Sequence, residues 1–382
     1  MDTKILIGAD IVPTKSNYVE FIEGNVETLV GKTMCDLLHK MDFTIFNLEV
    51  PLTDVISPLQ KCGPNLQALS KTINGIKKLN PYFFTLANNH ILDQSVQGLK
   101  ATMEILNREN IKYAGAGNDL KEASKPFVFE KNGIKIGIYC CAEREFSIAT
   151  ENKAGANPFD PLFSLDHIRL LKKDVDYVIV LYHGGKEHYR FPSPNLQKTC
   201  RRIVDSGADL VVCQHSHCIG CYEDWKTGKI IYGQGNFLFD DSDSEFWKTS
   251  LLIEIIFKSK NDFSIEYIPI VKVGNGIRLA ENEKKVEIIN GFEDRSKRII
   301  ESAFIETEYS KFAQQYINTY LRTGMPHNTS LFNRVFNKLS KGTWFERRIT
   351  KEQKLALCNY LECEAHRELF LQGLKESLRK SS

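Results

Sequence analysis

The chain of 382 residues carries 50 Lys and Arg against 48 Asp and Glu, which gives a formal net charge of +2 at pH 7. This balance argues against a protein whose whole surface binds nucleic acid or anionic lipid, and no nucleic-acid partner is expected. A content of 42% hydrophobic and 26% charged residues excludes a disordered chain and a coiled coil. The length predicts more than one domain.

The sequence predicts a cytoplasmic protein, or one that is peripheral to a membrane. No apolar run approaches the ~20 residues that a transmembrane helix needs. The first ten residues have the pattern of a strand, without the basic and apolar regions of an export signal. We therefore interpret the ten cysteines as reduced thiols rather than as a disulfide framework.

Short β-branched or aromatic runs alternate with segments of helical period up to about residue 280, a pattern typical of strands covered by helices. A helix is predicted to begin at a cap residue, Ser95, and another is predicted from Leu196 to Val204, before Gly207. The closely spaced last strands favour antiparallel pairing, so the predicted fold class is α/β (α+β) with mixed sheets. The predicted strands are Lys4–Ala9, Phe43–Glu49, Phe83–Ala87, Ile134–Cys140, Val175–Tyr182, Leu210–Cys213, Ile230–Tyr232, Leu251–Phe257 and Phe263–Ile270.

The pattern changes near Glu281–Lys285, and the sequence therefore predicts a first domain at 1–285 and a helical C-terminal extension at 286–382. Helical periods are found in Arg295–Leu321, Leu331–Leu339 and Thr350–Arg379. Six basic residues against one acidic residue between 327 and 351 are interpreted as a solvated face of this extension. A surface for an anionic ligand or a partner protein is the alternative.

Polar side chains follow the ends of most predicted strands in the first 240 residues. Ligand and catalytic groups collect at the carboxyl edge of an open α/β sheet. Each residue alone has a structural explanation, such as a turn, a helix cap or a buried histidine, but the whole set predicts a metal site. These residues are Asp10, Asn47, Glu49, Asn88, Asn89, His90, His183, Glu187, His215, His217 and Asn236.

The spacing of His215 and His217 is expected to aim both side chains to one face of a strand-like segment. Imidazole, carboxylate and amide ligands favour Mn, Fe or Zn over Ca or Mg alone. The neighbouring Cys218 and Cys221 give a competing interpretation, a structural zinc knuckle. Four ligands within seven residues would be cramped, so buried thiols are the preferred interpretation of this pair.

The order of the motifs resembles the capsule-synthesis (CapA, poly-γ-glutamate synthesis) family, a branch of the calcineurin-like metallophosphoesterase superfamily. The resemblance covers residues 3–280 and leaves out the helical extension. The motifs that carry it are Ala9–Ile11, Asn47–Thr53, Ala87–Asp93, Gly115–Gly117, His183–Glu187, Pro192–Gln197, Gly207–Val211, His215–His217 and Gly235–Phe237.

The resemblance implies a layered sheet sandwich flanked by helices and a pair of divalent metal ions. In it, Glu49 looks like the bridging carboxylate and His90 like the catalytic acid. Asn47, Asn88, Glu187 and Asn236 are assigned to orienting the ligands or contacting substrate, and Lys61, Arg144 and Arg190 to an anionic substrate. The full set of implied metal ligands is Asp10, Glu49, Asn89, His183, His215 and His217.

Three positions depart from the expected pattern. Ala9 stands where the family has glycine before Asp10. Val12 stands where the superfamily usually has a histidine, which leaves the occupancy of one metal site open. Gly184 stands where the family has tryptophan, so an aromatic wall is expected to be missing there.

The predicted function is that of a metal-dependent hydrolase, with phosphoesterase-like chemistry by a metal-activated hydroxide, linked to capsule or poly-γ-glutamate synthesis. The expected substrate is an anionic small molecule or polymer. One alternative is a metal-dependent amide hydrolase that cleaves γ-glutamyl bonds. The other is a non-catalytic assembly protein that binds capsule-synthesis partners through the C-terminal helices.

Overall fold

The computed structural model describes residues 2–324, 338, 349–362, 366, 367, 370, 371, 373, 374 and 378. The chain divides into two compact units, Met1–Thr307 and Glu308–Ser382. The predicted domain boundary at 285/286 therefore falls inside the first unit, and as a statement about domains it stays a prediction. The predicted helix Leu331–Leu339 and the basic run at 327–351 lie almost wholly outside the described residues.

Within the described residues, strands β1 to β16 occupy, in chain order, Thr3–Val12, Phe43–Leu48, Phe83–Thr85, Lys112–Ala114, Ala116–Gly117, Phe127–Lys131, Ile134–Ala142, Gly155–Ala156, Tyr177–His183, Leu210–Gln214, Tyr222–Trp225, Gly228–Tyr232, Asn236–Phe239, Thr249–Ser259, Asp262–Val273 and Gly276–Leu279. Helices α1 to α11 occupy Tyr18–Glu23, Val26–Val30, Lys32–Lys40, Ile73–Ile76, Ser95–Arg108, Leu120–Ala123, Ser164–Asp174, Pro194–Asp205, Asn282–Arg298, Phe304–Gly324 and Lys351–Glu362. Short 3₁₀ turns lie at Ser70–Thr72, Lys77–Leu79 and Glu245–Lys248. None of the described helices is both long enough and apolar enough to cross a membrane.

The first unit contains two mixed sheets, as the sequence predicted, and a small antiparallel sheet made of β5 and β8. One mixed sheet has the order β16-β15-β14-β1-β2-β3-β4 with β13 also paired to β1, and the other has the order β11-β12-β10-β9-β7-β6. Strands β1 to β4 are parallel, whereas β14, β15 and β16 are antiparallel. The nine predicted strands are all present. The strands that the sequence did not predict have two to five residues, too few to show a clear period.

The two sheets pack face to face because alternate residues of their strands point to opposite sides. In β1, Ile5 and Ile7 belong to the core between the sheets, whereas Leu6 belongs to the core beneath helices α1 to α5. In β9, Ile179 points to the core between the sheets and Val180 to the core beneath α7 and α8. The result is a helix-sheet-sheet-helix sandwich, which confirms the predicted α/β fold class with layered sheets.

Helix α8 follows the predicted pattern closely. Its buried residues are Leu196, Cys200, Ile203 and Val204, and Gly207 follows it in the left-handed region at φ +114°. The predicted cap of α5 was wrong. The cap position there is Gln94, and the Ser95 hydroxyl donates to the Ser57 carbonyl instead.

Helix α9 lies beyond the predicted domain boundary but packs on the sheets. Its Phe292 is fully buried and its Ile288 is buried, both in the core between the sheets. The ring of Phe292 contacts Tyr222 of β11 and Tyr267 of β15, at centroid distances of 5.2 and 4.8 Å. The apolar face of α9 therefore closes the open end of the sandwich.

Candidate metal centre

The predicted site residues lie at the carboxyl edges of both sheets, where the central strands end side by side. Asp10 is paired in register with Asn47 of β2 and with Asn236 of β13. In the second sheet, His183 is the last residue of β9 and pairs with Gln214, the last residue of β10. His215 follows Gln214 directly and therefore lies near His183. The bulges in β1 next to Asp10 break the regular ladder, as bulges often do beside functional sites.

One group of donor atoms surrounds the Nε2 atom of His183. This atom lies 3.0 Å from Oδ1 of Asn89 and 3.3 Å from Oε1 of Glu49. Ligand atoms that bind one ion at about 2.1 Å stand roughly 3.0 to 3.4 Å apart, so the spacing fits a shared cation. All three side chains are buried.

A second group adjoins the first through Glu49. Ligand atoms of Glu49, His215 and His217 all lie within 4.8 Å of one another. The Nδ1 atom of His217 is 3.6 Å from Oδ2 of Asp10 and 2.8 Å from Oδ1 of Asn236. The six predicted metal ligands are therefore gathered at one place, with Glu49 in contact with both groups.

The backbone that carries His215 and His217 differs from the expected strand. Strand β10 ends at Gln214, and both histidines have left-handed φ angles, +92° and +51°. Such angles are uncommon for residues other than glycine, and strained residues of this kind cluster at active sites. The two side chains meet because of this bend and not because of the two-residue period of a strand.

Several polar atoms of this cluster are buried without a hydrogen-bond partner among the described residues. Both carboxylate oxygens of Glu49 are in this state, as are Oδ2 of Asp10 and Nδ1 of His215. Leaving a buried carboxylate unsatisfied costs free energy, and native structures usually avoid it. Unused acceptor atoms that face one another fit a bound cation.

The electrostatics of the cluster also fit a cation. Burial raises the pKa of Asp10, and the charge of Glu49 raises it further. Burial opposes the ionisation of Glu49 as well, but His183 and His217 outweigh burial and lower its pKa. Although burial lowers the pKa of His217, Glu49 and Asp10 raise it to about 9. Burial and the neighbouring imidazoles hold the pKa of His215 well below its usual value, which leaves a neutral imidazole that can bind a metal.

Asn47 and Asn88 hold the carboxylate and histidine ligands in place. Asn47 donates to Asp10 Oδ1 at 2.8 Å, and its Nδ2 lies 3.3 Å from Nδ1 of His183. Asn88 donates to Asn47 Oδ1 at 3.0 Å and to the Leu48 carbonyl at 2.9 Å. Its own Oδ1 accepts from the backbone N–H of His90. These contacts connect the ends of β1, β2 and β3.

His90 belongs to a buried network next to this cluster. Its Nδ1 lies 2.6 Å from Oδ2 of Asp93, and Oδ1 of Asp93 forms an ion pair with Lys61. The side chain of Lys61 is 2% exposed, so it is a buried partner of Asp93 and not a free surface charge. Asp93 was missed as a functional residue, although its position three residues after His90 was a signal for such a pair.

An aromatic wall is present, but a different residue provides it. Position 184 has no room for a side chain, because a Cβ there would lie 2.5 Å from Cγ of Glu143. Instead, Trp247 of the 3₁₀ turn packs against His217 at a centroid distance of 4.8 Å, and Phe239 packs at 5.6 Å. The expectation concerned position 184, which provides no aromatic side chain, whereas the aromatic contact with His217 comes from other parts of the chain. Val12 pairs with Phe239 in the sheet and offers no ligand atom.

Three of the predicted residues stand apart from the cluster. Glu187 is at the edge of the cluster. Its side chain is 43% exposed, and its carboxylate lies 4.0 Å from His215 Nε2. Arg144 pairs with Asp160 at the surface. Arg190 is held by the Ile219 carbonyl and by Glu245. Within the described residues, the His and Glu group does not include the buried thiols of Cys218 and Cys221, which agrees with the preferred interpretation of this pair.

The chain is similar to curated proteins of capsule and polymer synthesis. It is 28% identical over 242 residues to the capsule biosynthesis protein CapA of Bacillus anthracis, a match that covers 61% of this chain and 59% of that protein. It is 31% identical over 239 residues to the PGA biosynthesis protein CapA of Bacillus subtilis (strain 168), covering 61% and 62%. The chain thus matches about three fifths of the length of these relatives.

Two solved structures show a more distant likeness. A phosphatase from Mycoplasma pneumoniae is 15% identical, with a TM-score of 0.44, and the match covers 71% of this chain and 94% of that one. A 5'-nucleotidase precursor from Thermus thermophilus is 14% identical, with a TM-score of 0.41, and the match covers 83% and 59%.

The model of one protein family matches residues 10–241, more than half of the chain. Its description is bacterial capsule synthesis protein PGA_cap. The matched range begins at Asp10 and ends just after Phe239, so it contains every predicted metal ligand and both aromatic residues of β13. The chain belongs to the bacterial capsule synthesis protein family PGA_cap.

Proposed function

We propose that this chain is a metal-dependent hydrolase with phosphoesterase-type chemistry that serves capsule or poly-γ-glutamate synthesis. The observation that carries the proposal is the state of Glu49, a fully buried carboxylate whose two oxygens have no hydrogen-bond partner among the described residues. Its neighbours are imidazoles, a carboxylate and amides, which are ligands for Mn, Fe or Zn. Asp10, Glu49, Asn89, His183, His215 and His217 would hold two such ions.

Divalent ions in such a site supply a nucleophile by lowering the pKa of bound water, and they neutralise charge on the oxygens of a phosphoryl group. The residues of the chain do the rest. The inner face of the cluster is buried, so a substrate bound there is shielded from bulk water. Asn47 and Asn88 fix the ligands through hydrogen bonds between strand ends, so little reorganisation is needed when a substrate binds.

His90 is the residue that we assign to the leaving group. Oδ2 of the Asp93 carboxylate accepts from Nδ1 of this imidazole at 2.6 Å, which leaves Nε2 as the ring atom for a substrate oxygen. Lys61 neutralises the other oxygen of Asp93. With its Nδ1 fixed by Asp93, His90 can hold a proton at Nε2 and give it to the departing oxygen.

The printed names of the curated relatives concern capsule and PGA biosynthesis, which makes a γ-glutamyl amide the second substrate class to test. The same residues could act at a carbonyl carbon. The leaving group would then be an amine, and His90 would protonate nitrogen instead of oxygen.

The test combines metal analysis with a substrate screen on the full chain. Metal content is measured by mass spectrometry, and turnover is measured with p-nitrophenyl phosphate, bis-p-nitrophenyl phosphate and a γ-glutamyl anilide, before and after a chelator. We expect stoichiometric metal and phosphoester turnover that the chelator abolishes. Turnover of the anilide alone would favour the amide hydrolase. Bound metal without any turnover would favour an assembly protein, and protein that binds no added Mn, Fe or Zn would overturn both enzyme proposals.

A further inference from the structure

A cavity of about 750 Å³ lies beside the 3₁₀ turn that provides Trp247. We call it the Arg295 cavity. It is bounded by the turn Glu245–Lys248, by β15 and by α9, and its volume is in the range of small-molecule sites. Its charged lining residues are Arg190, Lys248, Lys272, Lys284, Arg295, Asp243, Glu245 and Glu287.

Two guanidinium groups are anchored side by side in this cavity. Arg190 Nη1 donates to the Ile219 carbonyl at 3.0 Å, and Arg295 Nε donates to the next carbonyl, that of Gly220, at 2.7 Å. The backbone at residue 220 packs against the Tyr232 carbonyl, and only glycine fits there because a Cβ would lie 1.8 Å from that oxygen. Two like charges are thereby fixed next to each other, which is unfavourable, and the Glu245 carboxylate beside Arg190 offsets this only from an exposed position.

The cations of the cavity are not equally compensated. Lys272 pairs with Asp240 and Lys284 with Glu287. Arg190 pairs with Glu245, but the Glu245 side chain is 70% exposed, so water screens this ion pair well. Neither Arg295 nor Lys248 forms an ion pair among the described residues, and the structure gives the terminal nitrogens of Arg295 no hydrogen-bond partner there.

The state of Arg295 agrees with this interpretation of the geometry. Burial and the charge of Arg190 lower the pKa of the Arg295 guanidinium to about 10. A cation that burial and a like charge both disfavour gains more from an anionic partner than a solvated one does. The planar fork of arginine binds the two oxygens of a carboxylate or a phosphate in one plane.

We infer that the Arg295 cavity is a binding site for a small oxyanion, a carboxylate or a phosphate, held by Arg295 with Arg190 and Lys248. It is separate from the metal centre and does not depend on the proposed hydrolase activity. The turn Glu245–Lys248 belongs to both places, because Glu245 and Lys248 line the cavity whereas Trp247 packs on His217.

The experiment measures anion binding by calorimetry on full-length protein after chelator treatment, so that no metal contributes. The probes are inorganic phosphate, glutarate and the uncharged analogue glutaramide. We expect one or both anions to bind and glutaramide not to bind. Phosphate alone or glutarate alone supports the site and decides which oxyanion it takes. No binding of either anion at millimolar concentration would overturn the proposal.

Variants then place the binding. Arg295→Gln is expected to weaken anion binding roughly tenfold, because charge-assisted hydrogen bonds are the strong ones. Lys297→Gln makes the same change of charge on an exposed residue of the same helix and is expected to leave binding unchanged. Because Arg295 is half-buried, Lys248→Gln on the exposed turn is the second test, with a smaller loss expected. Equal anion binding by wild type, Arg295→Gln and Lys248→Gln would put the anion elsewhere and overturn the assignment.

Discussion

Two buried glutamates of the same sandwich are in opposite chemical states. Glu223 of β11 is 3% exposed, accepts from Arg201 Nε at 2.9 Å and accepts from the Tyr232 hydroxyl at 2.9 Å. Glu49 is fully buried, and although its Oε1 lies 3.3 Å from His183 Nε2, neither of its oxygens accepts a hydrogen bond among the described residues. Burial is the same in the two places, and the difference lies in what satisfies the charge.

The comparison separates a structural carboxylate from one that is kept for a ligand. A buried ion pair with hydrogen bonds to both oxygens fixes its surroundings, and removing one partner is costly. A buried carboxylate without hydrogen bonds weakens the metal-free fold and is retained only where something else binds it. Glu49 has His183, His215 and His217 around it, which is the donor set that the proposed metal site requires.

The largest expected effect comes from exchanging one glutamate and then the other. Glu49→Gln is expected to weaken metal binding at least ~100-fold and to reduce turnover to background, because it removes a ligand that contacts both donor groups. Glu223→Gln is expected to leave metal content unchanged and to lower the free energy of unfolding by roughly 1–3 kcal/mol. Metal titration and chemical denaturation of both variants measure the two effects. Equal loss of metal in the two variants would remove the distinction.

The second-largest effect is expected at His90, and it separates a residue that moves a proton from the predicted metal ligands. His90→Ala is expected to cut turnover by ~10²–10⁴ while metal content stays near that of the wild type, because His90 handles a proton and is not a ligand. Steady-state kinetics and metal analysis of the same preparation measure this. A parallel fall of metal and turnover would place His90 among the ligands instead.

Asp93 stands between the two types, since it is partnered like Glu223 but lies beside the candidate site. Asp93→Asn is expected to lower turnover less than His90→Ala does and to cost about 3–5 kcal/mol of stability, because Lys61 is left as an uncompensated buried charge. The double variant Lys61→Met with Asp93→Asn is expected to regain stability but not turnover. Recovery of both would mean that Asp93 acts through folding alone.

The smallest effect is expected at the cysteine pair. Replacing Cys218 and Cys221 with serine is expected to leave metal content unchanged, because the donor cluster of Glu49, His215 and His217 does not include these buried thiols. The measurement is metal stoichiometry after equilibration with Zn or Mn. A loss of one equivalent of metal would revive the zinc-knuckle interpretation.

Much of the candidate site was predictable because parallel strands end at a common edge. Asp10, Asn89 and His183 each follow a predicted strand and Glu49 ends one. Strand ends that alternate with helices converge on one edge of a sheet. Asp93, Trp247 and Arg295 were not predicted. Their significance lies in contacts with His90, His217 and Arg190. The spacing of three residues between His90 and Asp93 was a signal in the sequence, whereas separations of 30 and 105 residues carry no sign of the other two contacts.

The sequence by itself determined the strand and helix periods and the mixed α/β class, because these depend on local alternation and on residue type. The candidate metal ligands followed from the resemblance of the motifs to a family. Only the tertiary structure decided which polar groups were satisfied. Lys61 is buried and pairs with Asp93, whereas the buried carboxylate of Glu49 accepts no hydrogen bond among the described residues, although both are charged residues near a motif. The physical reason is that hydrogen bonding and desolvation depend on the atoms that packing brings within about 3 Å, and those atoms come from distant parts of the chain.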